Sequence, residues 1–145
     1  MEGVTVYNEF STSTLEKIYN EKQKNPNKNT LLVLDDNADD LKKISASLFN
    51  KLISNSRHIH CSMVVLLQKL TQAPTILRTN ADTFAVFSAT STRETDALHA
   101  EIGVLDKKTF QKLFRHSTED RYSCFVASMI DGKIRFFKNF QTEYK

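Results

Sequence analysis

Two carboxylates stand side by side at the end of an apolar run, Leu31-Leu32-Val33-Leu34-Asp35-Asp36. A strand of that composition aims both acids beyond a sheet edge. Hard carboxylate oxygens there suit Mg²⁺, which keeps several waters and takes one or two carboxylates. The plainer alternative is that Asp35 or Asp36, with Asn37, only caps the helix that follows. Further polar residues close later apolar runs: Gln68 and Lys69 after one, Ser88 and Thr90 after another. In open α/β sheets ligands bind at the carboxyl ends of the strands, which makes these the residues to watch.

The elements that must position these groups alternate. Val4–Tyr7 reads as a short strand. Ser13 is placed to cap a helix that turns Leu15, Ile18 and Tyr19 inward, and the polar stretch Asn20–Asn29, with Pro26, reads as its end and a loop. Thr30–Leu34 is a continuous apolar run, the pattern of a strand buried on both faces. Asp39–Ser54 predicts one amphipathic helix with Leu41, Ile44, Leu48, Leu52 and Ile53 on a single stripe; Asp39 and Asp40 favour its N-terminus. Cys61–Leu67 and Thr83–Ala89 predict two more buried strands. Thr92–Glu101 and Lys107–His116 predict helices separated by Gly103. Ser123–Ile130 and Ile134–Phe137 flank Asp131-Gly132, a hairpin signal. The fold class expected is α/β: a parallel sheet with flanking helices and a C-terminal β-hairpin, in a single domain over 1–145.

Composition agrees with a globular domain. Of 145 residues, 40% are hydrophobic and 26% charged, and glycine and proline number only three and two. A net charge of +3 permits contact with nucleic acid without demanding it. The longest apolar run, Met63–Leu67, is far short of the roughly 20 residues a membrane span needs. No apolar leader follows Met1, and Cys61 and Cys124 have no CxxC partner, so a reducing, intracellular compartment is expected. His58, His60 and Cys61 crowd together, but no second ligand pair completes a zinc site. Phe136, Phe137 and Phe140 interleave with Lys133, Arg135 and Lys138; core packing is the expected use of that stripe, with a DNA-contacting strand as the alternative.

Two families place acids as Asp35 and Asp36 are placed. Leu32-Val33-Leu34-Asp35-Asp36-Asn37-Ala38-Asp39 and Phe87-Ser88-Ala89-Thr90 resemble the acidic pair and hydroxyl strand of response-regulator receiver domains. The phospho-accepting aspartate has no counterpart, because the candidate strand ends Leu66-Leu67-Gln68. The other family is the P-loop ATPases, where the acidic strand is the Walker B element. Arg57-His58, the strand Ser62–Gln68, the segment Pro74-Thr75-Ile76-Leu77-Arg78-Thr79-Asn80 and the strand Phe84–Phe87 follow it in order. That order resembles the FtsK/HerA-like superfamily, and within it the DNA-packaging ATPases of poxviruses, giant viruses and Polinton transposons.

The resemblance implies a P-loop NTPase (RecA-like) core and a role for each residue. Asp35 is the implied Mg²⁺ carboxylate, Asp36 the acid that activates the attacking water, and Gln68 the γ-phosphate sensor. Arg57 is the implied arginine finger reaching a neighbouring subunit, with Arg78 a second candidate for that role. Mg²⁺ and ATP are the cofactors of the intact family. Its partners are double-stranded DNA and further copies in a ring, usually hexameric, and its setting is the cytoplasm, nucleus or viral factory.

One part of the pattern is missing. Gly3, Gly103 and Gly132 are the only glycines, and none begins Gly-x-x-x-x-Gly-Lys-Ser/Thr, the loop that cradles nucleotide phosphates. About 30 residues precede the acidic strand, fewer than that unit needs. The chain is therefore expected to be the C-terminal portion of an ATPase core, inactive alone. Its parallel sheet would then expose an edge prone to aggregation. Two alternatives stay open: a receiver-like signalling module, and a non-catalytic assembly partner of an intact ATPase subunit.

Overall fold

The computed structural model describes residues 3–36, 38–89 and 91–145. Internal contacts divide the chain into two units, Met1–Asn80 and Ala81–Lys145.

In the first unit, Ser11 starts helix α1 (Thr12–Lys24) by accepting from the Thr14 backbone N–H at 3.3 Å. The cap thus falls two residues before Ser13, and the helix runs five residues, Asn20 to Lys24, into the stretch expected to end it. Leu15 and Ile18 are buried along its inner stripe, with Tyr19 packed beside them. The third inward position is a lysine. Lys22 is only 4% exposed, and its ammonium donates to the carbonyls of Asn25 and Lys28 and, at 3.2 Å, to Thr30 Oγ1. One cation therefore satisfies the end of α1 and the start of strand β1 (Thr30–Asp35).

β1 pairs in parallel with β2 (Cys61–Leu66), from Thr30↔Cys61 to Asp35↔Leu66. Between them run α2 (Ala38–Lys43) and α3 (Ala46–Asn55). A single helix over Asp39–Ser54 is not observed. Ser45 breaks it, its hydroxyl accepting from Leu48 N–H at 3.4 Å while its own N–H donates to Thr12 Oγ1 at 3.1 Å. The apolar stripe survives the break, since Leu41, Ile44, Leu52 and Ile53 all enter the core with Leu34, Phe49 and Cys61. Phe10 meets Phe49 edge-to-face, their centroids 6.2 Å apart.

Burial of β1 and β2 alternates. Leu34 and Cys61 face the core, whereas Leu31, Val33, Val64 and Leu66 are exposed on the outer face. The continuous apolar run was expected to be buried on both sides; here only one side is. Val4–Tyr7 forms no strand, and Val4, Val6 and Tyr7 are exposed. A 3-10 turn (Leu70–Gln72) and α4 (Thr75–Thr79) complete the unit.

The second unit holds β3 (Thr83–Val86), α5 (Thr92–Ile102), α6 (Lys107–Thr118), β4 (Phe125–Ile130), β5 (Lys133–Lys138) and β6 (Thr142–Tyr144). The sheet order is β3-β4-β5-β6, and every pairing is antiparallel. This corrects the expectation of a third parallel strand: β3 pairs with β4, Val86 opposite Phe125, and not with β1 or β2. An apolar run marks a strand; it fixes neither the strand's neighbour nor, for β1 and β3, the depth of burial. The hairpin at Asp131-Gly132 is present. Both turn residues have positive φ, 50° and 74°, as a type I′ turn requires. Phe110 and Phe114 of α6 pack on Phe125, and Phe136 stacks on it from β5. Ser117 is fully buried and bonds the Tyr144 hydroxyl at 2.8 Å, fastening the short β6. The Phe136 of the aromatic–basic stripe is therefore core, and Lys138 is held by Asp120 at 2.7 Å.

Asp106 caps α6 through Lys108 and Thr109 N–H, and hydrogen bonds from Thr109 hold its carboxyl below the usual carboxylate range. A depressed folded pKa means the cap contributes stability above the unfolded value and loses it as pH falls through the folded one. Acid unfolding below about pH 4 should flatten in Asp106→Asn, which caps without titrating.

Two substitutions test the first unit by denaturant titration. Lys22→Met removes the charged donor shared by Asn25 O, Lys28 O and Thr30 Oγ1 and should cost about 1–3 kcal/mol. Leu34→Ala should cost about 2–5 kcal/mol, while Leu31→Lys on the outer face should stay within about 0.5 kcal/mol.

Candidate functional site

The register of the parallel pair sets the site. Because Asp35 lies opposite Leu66, both strands end together, and the residues just beyond them, Asp36 and Gln68, emerge at the same edge. Asp36 extends the ladder by one step, its N–H donating to Leu66 O at 3.3 Å. There the backbone turns left-handed, with φ at 52°. Aspartate tolerates that region better than most residues with a side chain.

The turn lets the Asp36 carboxylate swing toward the continuation of β2. Gln68 Nε2 donates to Asp36 Oδ1 at 3.1 Å, across 32 positions of sequence. An ionised carboxylate only accepts, so it fixes the glutamine with its nitrogen toward the acid. The turn after Gln68 is held in its own right: Gln72 Oε1 accepts from Lys69 N–H at 3.0 Å, and Gln72 N–H returns to Lys69 O at 3.1 Å. Gln72 had not been singled out from the sequence. The signal was there, a glutamine three residues after the first residue of a turn, the spacing of a capping box.

Asp35, the last residue of β1, is exposed on the face that carries Leu31 and Val33. Asp36 and Gln68 are exposed as well. The donor set of the acidic pair is all hard oxygen, which fits Mg²⁺. Among the described residues no group of three or more metal-ligating side chains gathers. An ion held here would draw its remaining ligands from water or from the oxygens of a bound phosphate, which is how Mg²⁺ is usually bound.

The other expected residues are not brought to this edge. Arg57 lies in the turn between α3 and β2, at the opposite end of β2 from Gln68. Six residues of strand separate them, about 20 Å of rise. Arg78 belongs to α4, where its guanidinium donates to Ala73 O at 3.2 Å and Thr75 Oγ1 at 3.3 Å, closing the turn that begins its own helix. His58 and His60 are exposed while Cys61 is buried, so the three do not converge; burial pushes the Cys61 thiol up. Ser88 follows β3 in the antiparallel unit. Asn37 and Thr90 lie outside the described residues.

With this geometry in place, similarity to known proteins bears on it. The family model described as poxvirus A32 protein matches residues 6–134. The chain belongs to the poxvirus A32 protein family. That is a family of viral DNA-packaging ATPases. No curated protein matches the chain. The A32 match includes the acidic strand, Gln68 and both arginines, and it extends to the β4–β5 hairpin. No helix among the described residues is long and apolar enough to cross a membrane.

The left-handed Asp36 gives a direct check on the site's backbone. Asp36→Gly should unfold at the same or a slightly higher denaturant concentration. Asp36→Val, which resists positive φ, should lose about 1–2 kcal/mol.

Proposed function

We propose that this A32-family chain carries the Walker B half of an FtsK/HerA-like packaging ATPase. Asp35 holds Mg²⁺, largely through water. Asp36 takes the proton of the water that attacks the γ-phosphate. Gln68 relays the state of the phosphate to β2. The observation that carries this reading is the Gln68–Asp36 hydrogen bond. It joins a candidate base and a candidate sensor at the carboxyl edge of a parallel strand pair, where such sites form.

ATP phosphates need a glycine-rich cradle, and the 145 residues contain none. In this reading the cradle comes from another polypeptide segment, and double-stranded DNA is the cargo of the assembled ring. The exposed outer face of β1 and β2 is consistent with that, since parallel sheets are ordinarily covered on both faces. Arg57, at the far end of the strand, is better placed to serve a neighbouring subunit's nucleotide than its own. The reading puts the chain in the cytoplasm, nucleus or viral factory. Membership of the A32 family favours it over the receiver-like alternative. The same bare face also supports a second reading, a non-catalytic subunit that docks on an intact ATPase.

The test is Mg²⁺-dependent ATP turnover. The chain alone should show none. Co-assembled with a P-loop-bearing segment, it should gain turnover that Asp36→Asn lowers by about 10²–10⁴-fold, the usual contribution of a general base. Turnover by the isolated chain that Asp36→Asn abolishes would overturn the need for a cradle from elsewhere. Reconstituted turnover indifferent to Asp36→Asn would support the docking subunit instead.

A further inference from the structure

A separate cluster of side chains gathers in the second unit. Three large aromatic residues are exposed there: Phe87 at 60%, Tyr122 at 78% and Phe140 at 63%. The sheet register places all three at one end. Val86 and Lys138 both lie opposite Phe125, at the start of β4. Phe87 therefore leaves β3, Tyr122 approaches β4, and Phe140 leaves β5 at the same edge. Asn139 ties this end together, its N–H donating to Cys124 O at 3.0 Å and its Oδ1 accepting from Cys124 N–H at 2.8 Å.

Two of the three rings are presented by backbone that resists them. Tyr122 has φ at 66° and Phe140 at 59°, the left-handed region that bulky residues avoid. Neither ring gains burial in return. Strain that a fold retains without a packing reason points to function. The rings are also equipped with polar groups. The Arg121 guanidinium lies over Tyr122, 4.7 Å from the ring centre. A cavity of about 520 Å³ opens between Phe87, Ser88 and Tyr122, with Glu119 and Asp120 on its wall. Lys138 holds both of those acids, at 3.5 Å and 2.7 Å.

We propose that this end of the antiparallel sheet binds unpaired nucleobases, stacking them on Tyr122 and Phe87 with Arg121 reaching the adjoining phosphate. Exposed aromatic faces take bases of any sequence, and a neighbouring arginine supplies both stacking and charge. Bases inside a duplex have their faces covered by their neighbours, so the platform selects unpaired ones. The rings are interrupted by charged and hydroxyl side chains and do not form the continuous apolar surface that a protein partner would dry. The ligand chemistry is a base with an adjoining phosphate, whether in an unpaired strand or a free nucleotide. The inference rests on the second unit alone and stands apart from the acidic pair.

The chain contains no tryptophan and four tyrosines, so the part of the tyrosine emission that Tyr122→Phe removes reports on stacking at this ring. The whole chain would be titrated at low salt with a fluorescein-labelled oligothymidylate, the same sequence as a duplex, and thymidine monophosphate. Tyr122→Asn removes the ring while keeping a residue that accepts positive φ, so folding is preserved. It should weaken oligothymidylate binding about tenfold or more and leave duplex binding unchanged. Tyr122→Phe should restore it. Arg121→Ala should weaken it with a shallower salt dependence. Asp36→Asn should change none of this, which separates the platform from the ATPase reading. Quenching saturated by the mononucleotide alone would support the base site and assign it to a free nucleotide; quenching only by the oligomer assigns it to an unpaired strand. Equal oligomer affinity in Tyr122→Asn and the parent chain would overturn the proposal.

Discussion

The parallel register of β1 against β2 is the constraint on which the candidate site depends. It is fixed from Thr30↔Cys61 to Asp35↔Leu66, and slipping it by one residue would turn Leu34 and Cys61 out of the core. The core of the first unit therefore enforces the alignment that lets Gln68 reach Asp36. Lys22 anchors the other end, through its bonds to Lys28 O and Thr30 Oγ1 at the start of β1. The cation anchors the start of a strand whose last residues form the candidate site.

The same strands leave a face uncovered. Leu31, Val33, Val64 and Leu66 have the composition of a sheet interior but stand in solvent. The second unit does not repeat this arrangement. Its antiparallel sheet has one face against α6, and its core is a run of aromatic contacts from Phe110 and Phe114 through Phe125 to Phe136. Antiparallel hairpins close locally and need no partner from afar. A two-stranded parallel pair does, because its faces are built to be covered. That asymmetry is why the reading of the chain as part of a larger ATPase core rests on the first unit.

Most elements were legible because their signals are local. The stripe Leu41, Ile44, Leu52, Ile53 predicts helix, Asp131-Gly132 predicts a hairpin, and the apolar run ending in Asp35-Asp36 predicts a strand that presents acids at its end. What could not be read depends on partners. Ser45 breaks a helix by donating to Thr12, 33 residues away. The parallel or antiparallel choice of β3 follows from what lies beside it. Of the candidate residues, the acidic pair and Gln68 have positions legible in the sequence, because a strand end dictates where they emerge. Their mutual hydrogen bond was not, since it needs the left-handed turn at Asp36, which no neighbouring glycine announces. Arg57 and Arg78 carried only a residue type, and type alone does not say which end of a strand a guanidinium serves.

Positive φ recurs at both sites and in the turns of the scaffold. At Gly103 and Gly132 the chain takes positive φ with the residue that adopts it freely, and the result is a helix end and a turn. At His60, Asp131 and Asn139 it does so with residue types that tolerate it, and at Asp36, Tyr122 and Phe140 with a carboxylate and two rings, at about 1–2 kcal/mol apiece for the rings. A glycine would make each of those turns more easily. In each case the residue retained carries a group the turn itself does not need: a carboxylate bonded to Gln68, a ring under Arg121, and a ring at the tip between β5 and β6. At these three, positive φ falls at the carboxyl edge of the parallel pair and at one end of the antiparallel sheet. Those are the two places where exposed, chemically distinctive side chains also gather, and the coincidence follows if both edges hold ligands.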